Sequence, residues 1–196
     1  MPSGALLLGF VAAALVVLLT PGPGVLYIVA RSVGQRRRAG LALVLGRSAG
    51  ALVHVVAAAV GLSAILHTSA TAFGIAKALG AGYLIYLGLR TLLARWPTTS
   101  METPRPLPLY RLMVGGVVVS VFNPKIAVFF PAFLPQFVDP DLGPIAPQLL
   151  LLGLIYVGLA LVTDSGYALL AGSLRHWLGG RVIQGPIPRY MSGSLY

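Results

Sequence analysis

Apolar positions come in long uninterrupted blocks, not at the short periods of a soluble amphipathic helix or a half-buried strand. Residues 5–30 carry no charge, and neither do residues 48–76. Crossing the hydrocarbon of a bilayer takes about 20 apolar residues at 1.5 Å each. The pattern therefore predicts five full spans, at residues 5–30, 41–66, 70–89, 112–138 and 147–174. A sixth begins near Tyr190 and stops at Tyr196. The expected fold class is all-α, a polytopic transmembrane helix bundle forming one membrane domain over residues 1–196.

Composition agrees with that reading. Of the residues, 57% are apolar and 9% are charged, whereas a soluble domain carries roughly a quarter charged residues. The chain has no cysteine, which excludes disulfides, thiolate metal sites and cysteine nucleophiles. A net charge of +10 would suggest nucleic acid for a soluble protein. In a membrane protein positive charge first sets topology, so its position matters more than its total, and no nucleic-acid partner is expected. The first apolar run lacks a basic start, since no Lys or Arg precedes Arg31. It is also longer than the roughly 7–15 apolar residues of a secretory signal, so it is expected to stay as a span.

The basic residues sort the connections. Arg31, Arg36, Arg37 and Arg38, with Arg47 just beyond, follow the first span. Arg95 and Arg105, flanked by Arg90 and Arg111, lie in the third connection, and Arg175, Arg181 and Arg189 in the fifth. The second, around His67 to Ser69, has no Lys or Arg, and the fourth has only Asp139 and Asp141. Positive charge inside puts connections one, three and five in the cytoplasm and the N-terminus outside. The third connection, residues 94–110, contains Pro97, Pro104, Pro106 and Pro108 and reads as an extended cytoplasmic linker. It divides the chain into a first three-helix part, residues 1–93, and a second, residues 111–196, whose last helix is cut short. Three spans is an odd number, so the second part starts from the opposite side, an inverted repeat if both share a fold.

Two apolar spans are interrupted at corresponding places. Thr20-Pro21-Gly22-Pro23-Gly24 breaks the first, and Asn123-Pro124-Lys125 breaks the fourth. Thr and Asn are preferred N-caps, and Pro suits the first helical position because its missing N–H had no partner there. Each motif thus reads as a helix end followed by a new start within the bilayer. N–H groups at such a start must meet protein, water or ligand, and they carry the positive end of the helix dipole, which suits a carboxylate. One such motif would more often be a mere kink. A pair in opposed halves points to a transporter site, with Pro21, Gly22, Pro23, Gly24, Asn123, Pro124 and Lys125 as candidate substrate-binding residues.

Lys125 and Asp164 are the ionisable residues deep within spans four and five, and such groups rarely face lipid. Two readings stand open. Lys125 could neutralise a substrate carboxylate while Asp164 binds a substrate amine or carries a coupling proton; or the two pair and hold helices together. Lys77 lies near a span end, where it can snorkel, and receives no role. In span two, Gly46, Gly50, His54 and Gly61 share one helix face, with Gly46 and Gly50 as a small-xxx-small pair. That face reads as a packing seam with His54 hydrogen-bonded across it, and proton relay is the second reading of His54. The seam could serve packing within the chain or in a homo-oligomer. Gly46-Arg47-Ser48-Ala49-Gly50 also fits G-x-S-x-G, but that motif needs a strand and a soluble sheet, so the match is taken as chance. No metalloprotease, P-loop or dinucleotide motif is present, and neither a cofactor nor an enzyme activity is expected.

Thr20-Pro21-Gly22-Pro23-Gly24, together with Asn123-Pro124-Lys125 and the following Phe129-Phe130-Pro131-Ala132-Phe133-Leu134-Pro135-Gln136-Phe137-Val138, resembles the two signatures of the LysE/RhtB amino-acid exporters. The likeness extends to the basic connection after span one and the Pro-rich middle loop. It implies proton-driven secondary efflux of amino acids or close derivatives from the bacterial cytoplasm, across the inner membrane. It also carries Pro21, Gly22, Pro23, Asn123, Pro124 and Lys125 onto the family's motif positions; Asp164 and His54 rest on the physical reading alone. The family has a complete sixth helix, of which residues 190–196 are the part seen here, so a shortened form is expected. A divalent metal-ion exporter is the alternative, disfavoured by zero Cys, three His and four acidic residues. A truncated, non-transporting membrane protein is another.

Overall fold

The computed structural model describes residues 4–93 and 106–177; most of the linker, with Arg95 and Arg105, and the expected sixth span, with Arg181 and Arg189 before it, lie outside them. Seven α-helices follow in order among the described residues: α1 (Gly4–Leu19), α2 (Pro23–Gln35), α3 (Arg37–Thr68), α4 (Ala70–Leu93), α5 (Leu109–Val121), α6 (Pro124–Phe133) and α7 (Ile145–Trp177). A short 3-10 turn, Leu134–Phe137, continues α6. The all-helical expectation holds.

The stretches Arg37–Ile65 and Ile145–Ser173 are unbroken and apolar enough to cross a membrane. Two further candidates are bent pairs. Gly4–Leu19 meets Gly24–Gln35 at 55°, and Leu109–Val121 meets Ile126–Phe137 at 56°. The breaks fall where Pro and Gly, or Asn and Pro, interrupt the apolar pattern. Large apolar side chains cover the outer faces, with Leu8, Leu79, Val162 and Leu170 each at least 70% exposed. A water-soluble monomer rarely leaves such a surface bare.

Helix α3 is the axis of the bundle and packs mainly against α5 and α7. The α3–α5 seam depends on glycine. A Cβ on Gly46 would collide with the Met113 carbonyl, one on Gly50 would stand 2.8 Å from the Val117 carbonyl, and one on Gly116 would stand 2.6 Å from the Leu43 carbonyl. Small residues let backbones approach this closely where lipid offers no hydrophobic drive between helices. Gly61, expected on the same seam, meets nothing within 4 Å, because that end of α3 has already left the contact. On the other side, Gly153 seats the Val55 side chain, while a Cβ on Gly172 would come within 2.9 Å of the Arg37 backbone. The apolar interior is aromatic: Phe10, Phe129, Phe130, Phe133, Phe137 and Tyr156 form a chain of rings with centroids 4.7 to 6.3 Å apart.

The expected basic connection after span one is shorter than the charge pattern suggested. Helix α2 runs on to Gln35, and only Arg36, with φ 75°, separates it from α3. Arg31 is therefore a helical residue, 8% exposed, and donates to Gln35 Oε1 at 3.0 Å.

Candidate functional site

Both breaks use the same backbone device. At the first, the Gly22 carbonyl accepts from the Val25 and Leu26 amides, each at 3.0 Å. At the second, the Asn123 carbonyl accepts from the Ile126 and Ala127 amides, again at 3.0 Å. Pro23 and Pro124 occupy the first helical position in each, where a missing N–H costs nothing. The equivalent residues are thus Gly22 with Asn123, Pro23 with Pro124, and Gly24 with Lys125.

This corrects the sequence expectation at one position. Thr20 is not the cap of the second helix. Its hydroxyl donates back to the Val16 carbonyl at 2.8 Å, closing the last turn of α1, and Gly22, in an extended conformation, takes the cap. A Ser or Thr inside a helical turn readily bonds its own i−4 carbonyl in this way.

The helix ends before each break also need partners, because their last carbonyls have none within the helix. Both are met by side chains from the long helices. The Tyr167 hydroxyl of α7 donates to the Leu19 carbonyl at 3.0 Å. His54 Nε2 of α3 lies 3.1 Å from the Ser120 carbonyl. A carbonyl only accepts, so this bond requires the proton on Nε2. The seam reading of His54 is realised, with Phe130 stacked against its ring at 6.4 Å.

A cavity of about 120 Å³ lies between the two breaks. That is small beside the roughly 300–1,000 Å³ of pockets for drug-sized ligands. Thr20, Gly22, Gly24, Asn123 and Asp164 all line it, so candidates from both motifs and from α7 come together. Val17, Ile126, Phe129, Phe130, Val157 and Ala160 supply the apolar part of its wall. Pro21 and His54 are not among the lining residues; His54 stands behind Ser120, which is. Lys125 is the second residue of α6, and its side chain, like those of Pro23 and Pro124, lies outside what is described.

The partner of Asp164 is Arg47. Nη1 of Arg47 donates to Oδ2 of Asp164 at 2.9 Å, with the two side chains 17% and 9% exposed. Both line the cavity. The guanidinium rests on the backbone at the start of α2, where a Cβ on Gly24 would come within 2.7 Å of Nη2 and 2.8 Å of Cζ. Sequence reasoning counted Arg47 with the topological charges and missed it. The available signal was its place inside span two, among apolar residues, two turns before His54. Ser120 was missed as well: it is 1% exposed, lines the cavity, and its Oγ is buried without a hydrogen-bond partner.

These features define a polytopic helical membrane protein with a small charged cavity held between two interrupted helices. The chain belongs to the LysE type translocator family, whose model matches residues 15–195. It is 33% identical to an uncharacterized membrane protein of Vibrio cholerae over 91% of this chain and 84% of that one. Identity to the homoserine/homoserine lactone efflux protein of Salmonella typhimurium is also 33%, over 83% of this chain and 78% of the relative. The leucine efflux protein of Salmonella choleraesuis is 29% identical over 66% of this chain and 62% of its own length. No solved structure matches the chain significantly.

Proposed function

We propose that this protein exports amino acids or related zwitterionic metabolites from the bacterial cytoplasm across the inner membrane, drawing on the proton gradient, with its N-terminus outside. The observation that carries the proposal is the convergence of both interrupted helices on one cavity that also holds Asp164 and Arg47. Helix starts favour an anion, a carboxylate favours an ammonium, and a zwitterion satisfies both. The efflux of homoserine, its lactone and leucine named for the relatives agrees with a small substrate.

In this reading the two halves are an inverted repeat whose long helices each cap the other half's break, α7 through Tyr167 and α3 through His54. Lys125, at the equivalent of Gly24, adds positive charge beside the second helix start, and Asp164 is the group that binds the substrate amine or carries the coupling proton. Among the described residues no group of three or more His, Cys, Asp or Glu comes together that could hold a metal ion.

Cells loaded with leucine- and homoserine-containing dipeptides provide the test. Expression of the protein should speed the appearance of free amino acid outside, and Asp164→Asn should abolish the gain. Equal efflux with and without the protein would reject the proposal.

A further inference from the structure

We infer that Arg47 is a substrate-binding residue, and that its ion pair with Asp164 is the ligand-free state of the site. A substrate carboxylate displaces Asp164 from Arg47, and the substrate ammonium takes Asp164. The inference rests on the proposed export function and assigns the poles of its site.

Stability does not account for the pair. Taking two charges out of water offsets most of their attraction, and apolar replacements are often as stable. Yet this pair lies on the cavity wall, with side chains 17% and 9% exposed. Its position is also electrostatically lopsided. The guanidinium lies against Gly24 in the first turn of α2, where the helix dipole is positive and a cation is disfavoured. Asp164 is the one anion facing two positive features.

That imbalance selects the ligand. A bare amine would claim Asp164 and leave Arg47 beside the positive helix end with no counter-charge. A bare carboxylate would claim Arg47 and leave Asp164 buried and alone. A molecule carrying both charged groups on one carbon replaces each half of the pair at once, and no charge is stranded. The Ser120 hydroxyl, buried on the same wall without a partner, is a second, independent sign that a polar ligand completes the site. With Phe129, Phe130 and Val157 on the wall, the ligand class is a neutral α-amino acid.

The test uses purified protein in liposomes, with L-leucine, leucinamide (no carboxylate) and N-acetyl-leucine (no free amine) as probes. Both binding and efflux are followed. The parent protein should favour L-leucine over each analogue by roughly 10–100-fold, the size expected for a lost bond to a buried charge. Arg47→Gln should collapse the preference over leucinamide to within about 3-fold and keep that over N-acetyl-leucine. Asp164→Asn, whose efflux is lost, should do the reverse in binding. The double variant, which strands no charge and so keeps the protein foldable, should lose both preferences. If the single variants lower efflux but keep both preferences, the pair is only a brace and the inference is overturned, although export stands. Binding with these preferences but without efflux would overturn export and leave the site assignment intact. No binding of any probe to the parent protein would overturn both.

Discussion

The two interrupted helices have the same backbone construction and different chemistry. Each bends by about the same angle, 55° and 56°, each starts its second segment on a carbonyl that receives two amides, and each has its preceding helix end met by a side chain from a long helix. They differ in the residue that follows the proline. At the second break it is Lys125. At the first, the equivalent residue is Gly24, against which the Arg47 guanidinium from α3 rests. A glycine is needed there because the guanidinium occupies the space a side chain would fill. The first break is therefore tied to Asp164 through Arg47, and through it to α7.

Changing Gly24→Ala should give the largest effect. The added Cβ pushes on the far end of a flexible side chain, so the fold should survive while Arg47 is turned away from Asp164. Efflux should fall by roughly 10–100-fold, in keeping with loss of a charged hydrogen bond, while the elution profile of the purified protein stays unchanged. An Ala variant that transports normally would show that the contact between Arg47 and the α2 backbone is incidental.

The side chains that close the helix ends come next. Tyr167→Phe removes the side-chain donor to the Leu19 carbonyl, His54→Phe leaves the Ser120 carbonyl with the Asn123 amide alone, and each should lower stability by about 0.5–1.5 kcal/mol. Thermal unfolding in detergent would measure it. Similar losses would support equal roles for the two breaks, and His54→Gln, which keeps an N–H donor, should recover part of the loss. A loss at one break alone would make the likeness between them superficial.

The smallest effect is expected at Ser120. Ser120→Ala removes a buried hydroxyl that has no partner, so stability should stay level or rise by up to about 1 kcal/mol. Any change should instead appear in substrate preference. A clear loss of stability would show that the hydroxyl already has a role in the empty protein.

Much of this was legible in the sequence, for physical reasons. Four of the five expected spans, two unbroken and two bent among the described residues, follow from charge-free blocks, because hydrocarbon tolerates little else, and the breaks follow from Pro, Gly and Asn, whose local preferences survive in a membrane. The Gly46–Gly50 seam and the hydrogen bond of His54 across it followed from helical spacing. Gly61 left the seam because spacing says which residues share a face and not where a neighbour ends. The Thr20 cap was misread for a related reason: a hydroxyl at a helix end can close the preceding turn or open the next, and the choice depends on the backbone of Gly22 two residues on. Arg47 was the costliest omission. Near the basic connection its charge looked topological, and its pairing with Asp164, more than a hundred positions away, is a product of tertiary packing alone.

The chain has no native cysteine, so a single introduced thiol can report on the cavity without background. The account's central claim, that both helix breaks open onto one shared substrate cavity, is tested most directly by Thr20→Cys and Asn123→Cys made separately in otherwise unaltered protein. A small water-soluble thiol reagent should modify both, and L-leucine should slow both reactions with the same concentration dependence. Modification that the amino acid slows at one position and leaves untouched at the other would contradict it.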